Sequence, residues 1–316
     1  MNKFLITIVG PTAIGKTSLA IKLAKHYQTE VISADSRQFY KELNIGTAKP
    51  TSEELSSVKH HLINNISVTD DYDISQFQSD AREKINNLFK MKDFAIMVGG
   101  SGLYIDSVLY GIDKIPKIDI SIRENLNEEF NINGLKNLIK KLKKLDPITY
   151  KKIDLNNHRR IIRALEVSIS SNKPYSSFLN TSEKQSKYNE IIIGLDCDRP
   201  KLHSLINSRV DIMIKKGLVD EVNALIKYKK LNALNTIGYK EIFEYLENKI
   251  NLEEAIDKIK TNSRRYAKRQ LTWFKSNKKV NWYSYDYDLK VILNMIKSFQ
   301  SIQQSTWSLL REYYWY

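Results

Sequence analysis

Eight residues, Gly10-Pro11-Thr12-Ala13-Ile14-Gly15-Lys16-Thr17, have the types and spacing to hold a diphosphate. The pattern is G-x-x-x-x-G-K-[ST]. Its glycines let the backbone curl until the N–H groups face inward. A helix opening at Lys16 adds the partial positive charge of its N-terminus. The Lys16 ammonium reaches the terminal phosphates, and the Thr17 hydroxyl is a ligand for Mg2+. The bland alternative is a plain glycine turn before a helix. The loop specifies a diphosphate-like group and leaves the reaction open.

Two more positions carry chemistry. Asp35 follows the short apolar run Val31–Ser33 and can serve as base for an acceptor nucleophile. Taken alone, capping of a following helix together with Ser36 is the simpler role. The run Phe94–Val98 ends in Gly99-Gly100-Ser101-Gly102. A typical P-loop ATPase has an acidic residue there to support Mg2+ and water. Its absence argues against an ATPase or GTPase and leaves a small-molecule kinase open.

These residues need a scaffold that brings them together. Phe4–Val9, Val31–Ser33, Phe94–Val98 and Ile191–Leu195 read as buried strands. Helical patterns over Lys16–Tyr27 and Asp80–Met91 alternate with them. Such alternation predicts an α/β fold with a parallel sheet and right-handed crossovers. Ligands then sit beyond the carboxyl ends of the strands, where Gly10, Asp35 and Ser101 converge. From Asp113 to Ser186 the texture changes to amphipathic helices, Leu135–Leu145 and Arg159–Ser168, with no convincing strand. The expected organisation is a core of 1–112 and 187–300, a helical insertion of 113–186 and a tail of 301–316. Arg199–Lys275 reads as mostly helical.

With 316 residues, the chain is long enough for two domains or one domain with an insertion. Lys and Arg number 50 against 36 Asp and Glu, a net charge of +14. That excess suits an acidic partner such as nucleic acid, although a generally lysine-rich surface would look the same. Cys197 is the single cysteine, so neither a disulfide framework nor a Cys-based zinc site is expected. No segment reaches the ~18 apolar residues of a membrane helix. The apolar run before Gly10 is too short for a signal peptide. A cytoplasmic location is the expectation.

Several segments together resemble the tRNA dimethylallyltransferases (tRNA isopentenyltransferases). They are the phosphate loop, Ser33–Tyr40, Asn44–Pro50, His60–Ile63 and Val98–Tyr104, then Arg160–Val167, Thr236–Glu241 and Arg265–Trp273, in that order. The resemblance spans about residues 4 to 283. It implies a P-loop NTPase-like fold and transfer of a dimethylallyl group from dimethylallyl diphosphate to N6 of adenine 37 in tRNA. Diphosphate would leave, with Mg2+ as cofactor. Asp35 matches the general base, Arg209 the arginine that grips the diphosphate, and Ser101 a hydroxyl residue near the reacting groups. Asp35, Ser36, Arg37 and Gln38 would read the target base. Arg123 and the segment Arg159-Arg160-Ile161-Ile162-Arg163 would hold the tRNA anticodon stem-loop. The pairs Arg159/Arg163 and Arg265/Arg269 each share a helix face at i, i+4.

The chain departs from the family pattern at Lys59, Asn64 and Ile14, and its aromatic tail from Trp307 has no familial counterpart. That tail is read as an extension without regular structure. Adjacent His60 and His61 would point to opposite faces of a strand, which suits one metal ion poorly. Trp273 and Phe274 are expected to pack in the core, and Cys197 to be a small buried residue. A monomer is the default expectation. The rival readings are an adenylate isopentenyltransferase acting on free nucleotides, a P-loop kinase, and an RNA-binding protein with an inactive loop. The helical insertion and basic patches favour tRNA over a free nucleotide.

Overall fold

The computed structural model describes residues 3–116, 118–179 and 185–313, with side chains as far as Ser301. The chain divides into two compact units, Met1–Tyr110 with Gln185–Tyr316, and Gly111–Lys184. The first opens with β1 (Phe4–Val9), α1 (Lys16–His26), β2 (Val31–Ser33), α2 (Ser52–Ser57), β3 (His60–His61), α3 (Ile74–Met91), β4 (Phe94–Val98) and α4 (Gly102–Tyr110). The second unit holds α5 (Ile120–Asn133), α6 (Leu135–Leu145), α7 (Pro147–Lys152) and α8 (His158–Ser171). The chain then returns as β5 (Asn189–Asp196), α9 (Arg199–Lys215), α10 (Leu218–Ala224), α11 (Tyr239–Leu246), α12 (Leu252–Lys275), β6 (Val280–Ser284) and α13 (Leu289–Tyr313).

The six strands form one parallel sheet in the order β3-β2-β4-β1-β5-β6. Every residue of β1 and β4 is buried. Their sequences are apolar apart from Thr7 because helices cover both faces. Leu5 and Val9 face the layer that holds α3 and α4, while Phe4, Ile6 and Ile8 face α1 through Leu19 and Leu23. The predicted α/β class with a P-loop NTPase-like sheet is what the chain adopts.

This order places the loops after β2, β4 and β1 side by side. Ala34 N–H donates to Val98 O at 2.7 Å, and Gly99 N–H to Ile8 O at 3.1 Å. A Cβ on Gly99 would stand 2.2 Å from the Ala34 carbonyl oxygen, so the close approach of the second and fourth strand ends requires glycine. Among the described residues, no helix is long and apolar enough to cross a membrane.

Among the differences from the sequence pattern, these have clear local causes. Helix α3 begins at Ile74 rather than Asp80, because Asp73 and Gln76 form a reciprocal capping box. Edge strand β6 was not anticipated, since its mixed Val-Asn-Trp-Tyr-Ser run lacks the apolar continuity of the central strands. Helix α13 carries the expected extension on to Tyr313, with no glycine or proline after Leu289 to stop it. Residues 314–316 and the Trp307 side chain lie outside the described residues.

The helical unit closes around Leu126, Leu138, Leu142, Ile161, Ile162 and Leu165. Asp146, fully buried, ties its C-terminal part together. It accepts Thr149 N–H at 2.9 Å and Thr149 Oγ1–H at 2.6 Å, and from Ser176 its N–H at 2.7 Å and Oγ–H at 2.9 Å. Burial pushes this carboxyl up, but the Thr149 and Ser176 bonds outweigh it and hold the group below its ordinary range. Its stabilising contribution is therefore present at neutral pH and is lost as pH falls through that depressed value. Asp146→Ala strands four donors and should cost about 2–3 kcal/mol. Hydrogen exchange of amides in 118–179 should accelerate roughly 30- to 150-fold, provided they exchange by opening of this unit. Unchanged protection would show that the network does not support it.

Candidate active site

The phosphate loop leaves β1 and enters α1 directly at Lys16. Ala13 stands in the left-handed region at φ +69°. Lys16 Nζ donates to Pro11 O at 2.6 Å. Burial, and after it the charge of nearby Arg209, lower its pKa to about 7 against the opposing charge of Asp35. Arg209, from α9, donates through Nη1 to Thr12 Oγ1 at 3.3 Å. Thr12 N–H donates to Gln270 Oε1 at 2.8 Å, and Gln270 Nε2 donates to Gly100 O at 2.9 Å. Gln270, buried on α12, thus ties the phosphate loop to the glycine turn after β4.

Asp35 caps a turn and not a helix: its Oδ1 accepts Arg37 N–H at 2.9 Å, and residues 36–39 form turns. Burial raises its pKa above the ordinary aspartate value, and the bonds from Arg37 and the charge of Lys16 only partly offset this. Ser36 N–H donates to Ser101 Oγ at 3.1 Å, and Ser101 Oγ–H donates to Ser36 Oγ at 3.2 Å. Burial together with the charge of Asp35 pushes the Tyr266 phenol up to about 12, with Ser101 opposing. Gln38 turns its Nε2 toward Thr47 O and Ala48 O, at 3.2 and 3.3 Å. Arg37 Nη1 donates to Asn232 O at 3.1 Å.

Two adjoining clefts meet here. One, of about 780 Å³, is lined by the loop residues Thr12–Thr17, with Gln38, Lys49 and Gln270. The other, of about 340 Å³, is lined by Ser36, Arg37, Asn235–Gly238, Lys240 and Arg269. Thr12, Asp35, Arg209 and Tyr266 border both. A carboxylate and a guanidinium therefore stand where contents of the two clefts would meet.

The site residues predicted from the sequence separate into two groups. Gly10–Thr17, Asp35–Gln38, Ser101 and Arg209 gather at the ends of β1, β2 and β4. Arg123 and Arg159–Arg163 belong to the helical unit. There the Arg123 Nε and Nη2 donate to Glu166 at 2.6 Å each, as does Arg163 Nη1. Glu166 is fully buried; burial pushes it up, but the two guanidinium groups prevail and hold it low. Arg159 and Arg160 are exposed. Ile161 and Ile162 need correcting: their side chains are buried in the core and cannot be presented to RNA.

Other expectations change too. Phe274 packs in the core, but Trp273 is 40% exposed and donates its indole N–H to Asp106 Oδ2 at 3.0 Å. Cys197 is half-buried. His60 and His61 take separate partners, Val58 O and Glu30. Among the described residues no cluster of His, Cys, Asp or Glu could hold a metal ion. Gln270 and Tyr266 were not anticipated as site residues. They lie four residues apart on α12 and so share its inward face, whereas Arg265 and Arg269 drew attention by their charge. Arg269 does border the second cleft, with its guanidinium 5.7 Å over the Tyr266 ring.

The model of the IPP transferase family matches residues 38–277. A tRNA dimethylallyltransferase from Christiangramia forsetii is 50% identical over 298 residues, covering 94% of this chain and 99% of that protein. One from Flavobacterium johnsoniae is 48% identical over 300 residues, covering 93% and 97%. The crystal structure of the tRNA isopentenylpyrophosphate transferase of Bacillus halodurans superposes with a TM-score of 0.71 at 38% identity, covering 98% of this chain and all of that one. A eukaryotic dimethylallyltransferase described as acting on tRNA gives 0.75 at 26% identity, covering 90% and 74%.

Proposed function

Since the chain belongs to the IPP transferase family, we propose that it transfers a dimethylallyl group from dimethylallyl diphosphate to N6 of adenine 37 in tRNA, releasing diphosphate. The observation that carries this reading is the position of Asp35, which borders both the phosphate-loop cleft and the polar cleft beside it. The first takes the diphosphate of the donor and the second the adenine. Because N6 is hidden in a stacked anticodon loop, the base must flip out to reach it.

An exocyclic amine is a weak nucleophile, so removal of its proton as the C–N bond forms lowers the barrier. The raised pKa of Asp35 makes its carboxylate a better proton acceptor than an ordinary aspartate. Ser36 and Arg37 line the cleft assigned to the adenine, Gln38 holds the 47–48 wall, and Ser101 holds Ser36 in place. As the C–O bond breaks, negative charge grows on the diphosphate. Lys16, Arg209 and the loop N–H groups meet that charge. Thr17, at the first turn of α1 and lining the same cleft, offers one hydroxyl oxygen. That fits Mg2+, which usually keeps several waters and shares substrate phosphates with one or two protein ligands. When bound, the ion would neutralise diphosphate charge.

The adenylate isopentenyltransferase and kinase readings are not favoured, because the matching relatives are named for tRNA dimethylallyl transfer. Single-turnover transfer of labelled dimethylallyl groups with Mg2+ tests the choice. Label should appear on unmodified tRNA bearing A37 and not on AMP or ADP; label on the free nucleotides would overturn the acceptor assignment.

Exposed Arg159 and Arg160 are proposed to meet phosphates of the anticodon stem-loop. Binding of that stem-loop should weaken steeply with salt, each phosphate contact adding about 0.7 to 0.9 to the log–log slope. Arg159→Ala with Arg160→Ala should flatten the slope by roughly 1.4 to 1.8. A slope equal to that of wild type would remove both residues from the interface.

A further inference from the structure

The wall common to both clefts is held by a carboxylate that no step of the transfer uses. Glu221, on α10, accepts the N–H groups of Asn44 at 3.1 Å, Ile45 at 2.8 Å and Gly46 at 3.0 Å. Its fourth bond comes from the Tyr239 hydroxyl at 2.6 Å, from the first turn of α11. Consecutive backbone N–H groups curled toward one point make an anion-binding concavity. Here the anion is a side chain from another helix. Gly46 lies flush on the Tyr239 ring, where a Cβ would stand 2.4 Å from Cε2.

The turn so held leads directly into Thr47 and Ala48, which border both clefts. Gln38 grips their carbonyls from the opposite side. Lys49 completes the turn by donating to Tyr40 O at 2.6 Å and Asn44 Oδ1 at 3.0 Å. Burial lowers Lys49 to about 8, with Glu221 and Glu42 opposing. Asn235–Gly238, immediately before Tyr239, line the second cleft. One carboxylate therefore registers the 44–48 wall against the start of α11.

We propose that Glu221 is a positioning residue whose four bonds set the width of both clefts, and hence the placing of donor and acceptor. The identity of the two ligands rests on the proposed function; the coupling of the two cleft walls does not. Glu221→Gln preserves size but turns one acceptor oxygen into a donor facing donors. The KM for dimethylallyl diphosphate and the KM for tRNA should both rise about tenfold or more, because small displacements of a bound substrate are costly. The fall in kcat should be smaller, and the acid limb of the pH profile, set by Asp35, should not move. Gly46→Ala pushes the same wall off the Tyr239 ring while leaving Glu221 intact, and should reproduce the rise in both KM values. If Glu221→Gln fails to fold, Gly46→Ala decides. Wild-type KM values in either folded variant, even with a lowered melting temperature, would reduce the carboxylate to a structural tether. Calorimetric titration of each variant with dimethylallyl diphosphate reads the wall without turnover. It thus separates failure of this inference from failure of wild-type protein to modify tRNA.

Discussion

With Asp35→Asn, transfer to tRNA should fall about 10²–10⁴-fold in kcat, the range lost with a positioned general base. The amide oxygen can still accept the Arg37 N–H, so the turn at residues 35–38 should survive. Dimethylallyl diphosphate should therefore still bind. Asp35 also helps to keep Lys16 protonated, so binding is best compared over a pH series that extends well below the Lys16 value of about 7. The wild-type pH profile should carry the same signature. A base acts only when ionised, and burial raises the Asp35 pKa. The acid limb of kcat/KM should thus lie above the ordinary aspartate range, with activity lost as pH falls through it. Full activity in Asp35→Asn, or an acid limb at the ordinary aspartate value, would remove Asp35 from the base role.

The second large effect is expected at Lys16. Its ammonium is held near Arg209 in the phosphate loop, with a pKa of about 7. In the free protein much of its charge is lost as pH rises through that value. Bound diphosphate favours the charged form, so donor binding should take up a proton near and above pH 7. The alkaline limb of kcat/KM should begin there. Lys16→Met removes the charge and keeps the chain length. Turnover should drop about 10²–10³-fold, as for loss of one group that stabilises developing negative charge. Thermal stability should not fall, since the ammonium is desolvated and faces another cation. A less stable Lys16→Met with intact turnover would contradict both parts of the argument.

Much of the site was readable in the chain because it depends on local geometry. A phosphate loop is eight consecutive residues between a strand and a helix, and its N–H groups point inward through local dihedrals. Asp35 and Ser101 follow β2 and β4 and come within one hydrogen bond of each other through Ser36, because parallel strands put their carboxyl ends on one edge. The apolar runs 4–9 and 94–98 became central strands without change of boundary, since full burial on both faces leaves little ambiguity. Local pattern did not distinguish exposed from buried members of one segment. Arg159 and Arg160 face solvent, whereas Ile161 and Ile162 fill the core of the helical unit. Trp273 and Phe274 divide in the same way.

The phosphate-loop sequence and the alternation of strand and helix were thus legible in residue type and short-range spacing. Contacts between distant segments were not. Gln270 meets Thr12 across 258 positions, and Glu221 meets Asn44 across 177. Nothing in either neighbourhood announces the partner, because a glutamine or glutamate on a helix is equally at home in water. Folding alone brings backbone donors to those side chains, and burial then makes the bonds obligatory. The same packing removes water from Asp35 and Lys16 and moves their proton affinities in opposite directions. Residue types named the chemical groups, and assembly of the sheet with α9–α12 set their spacing and charge.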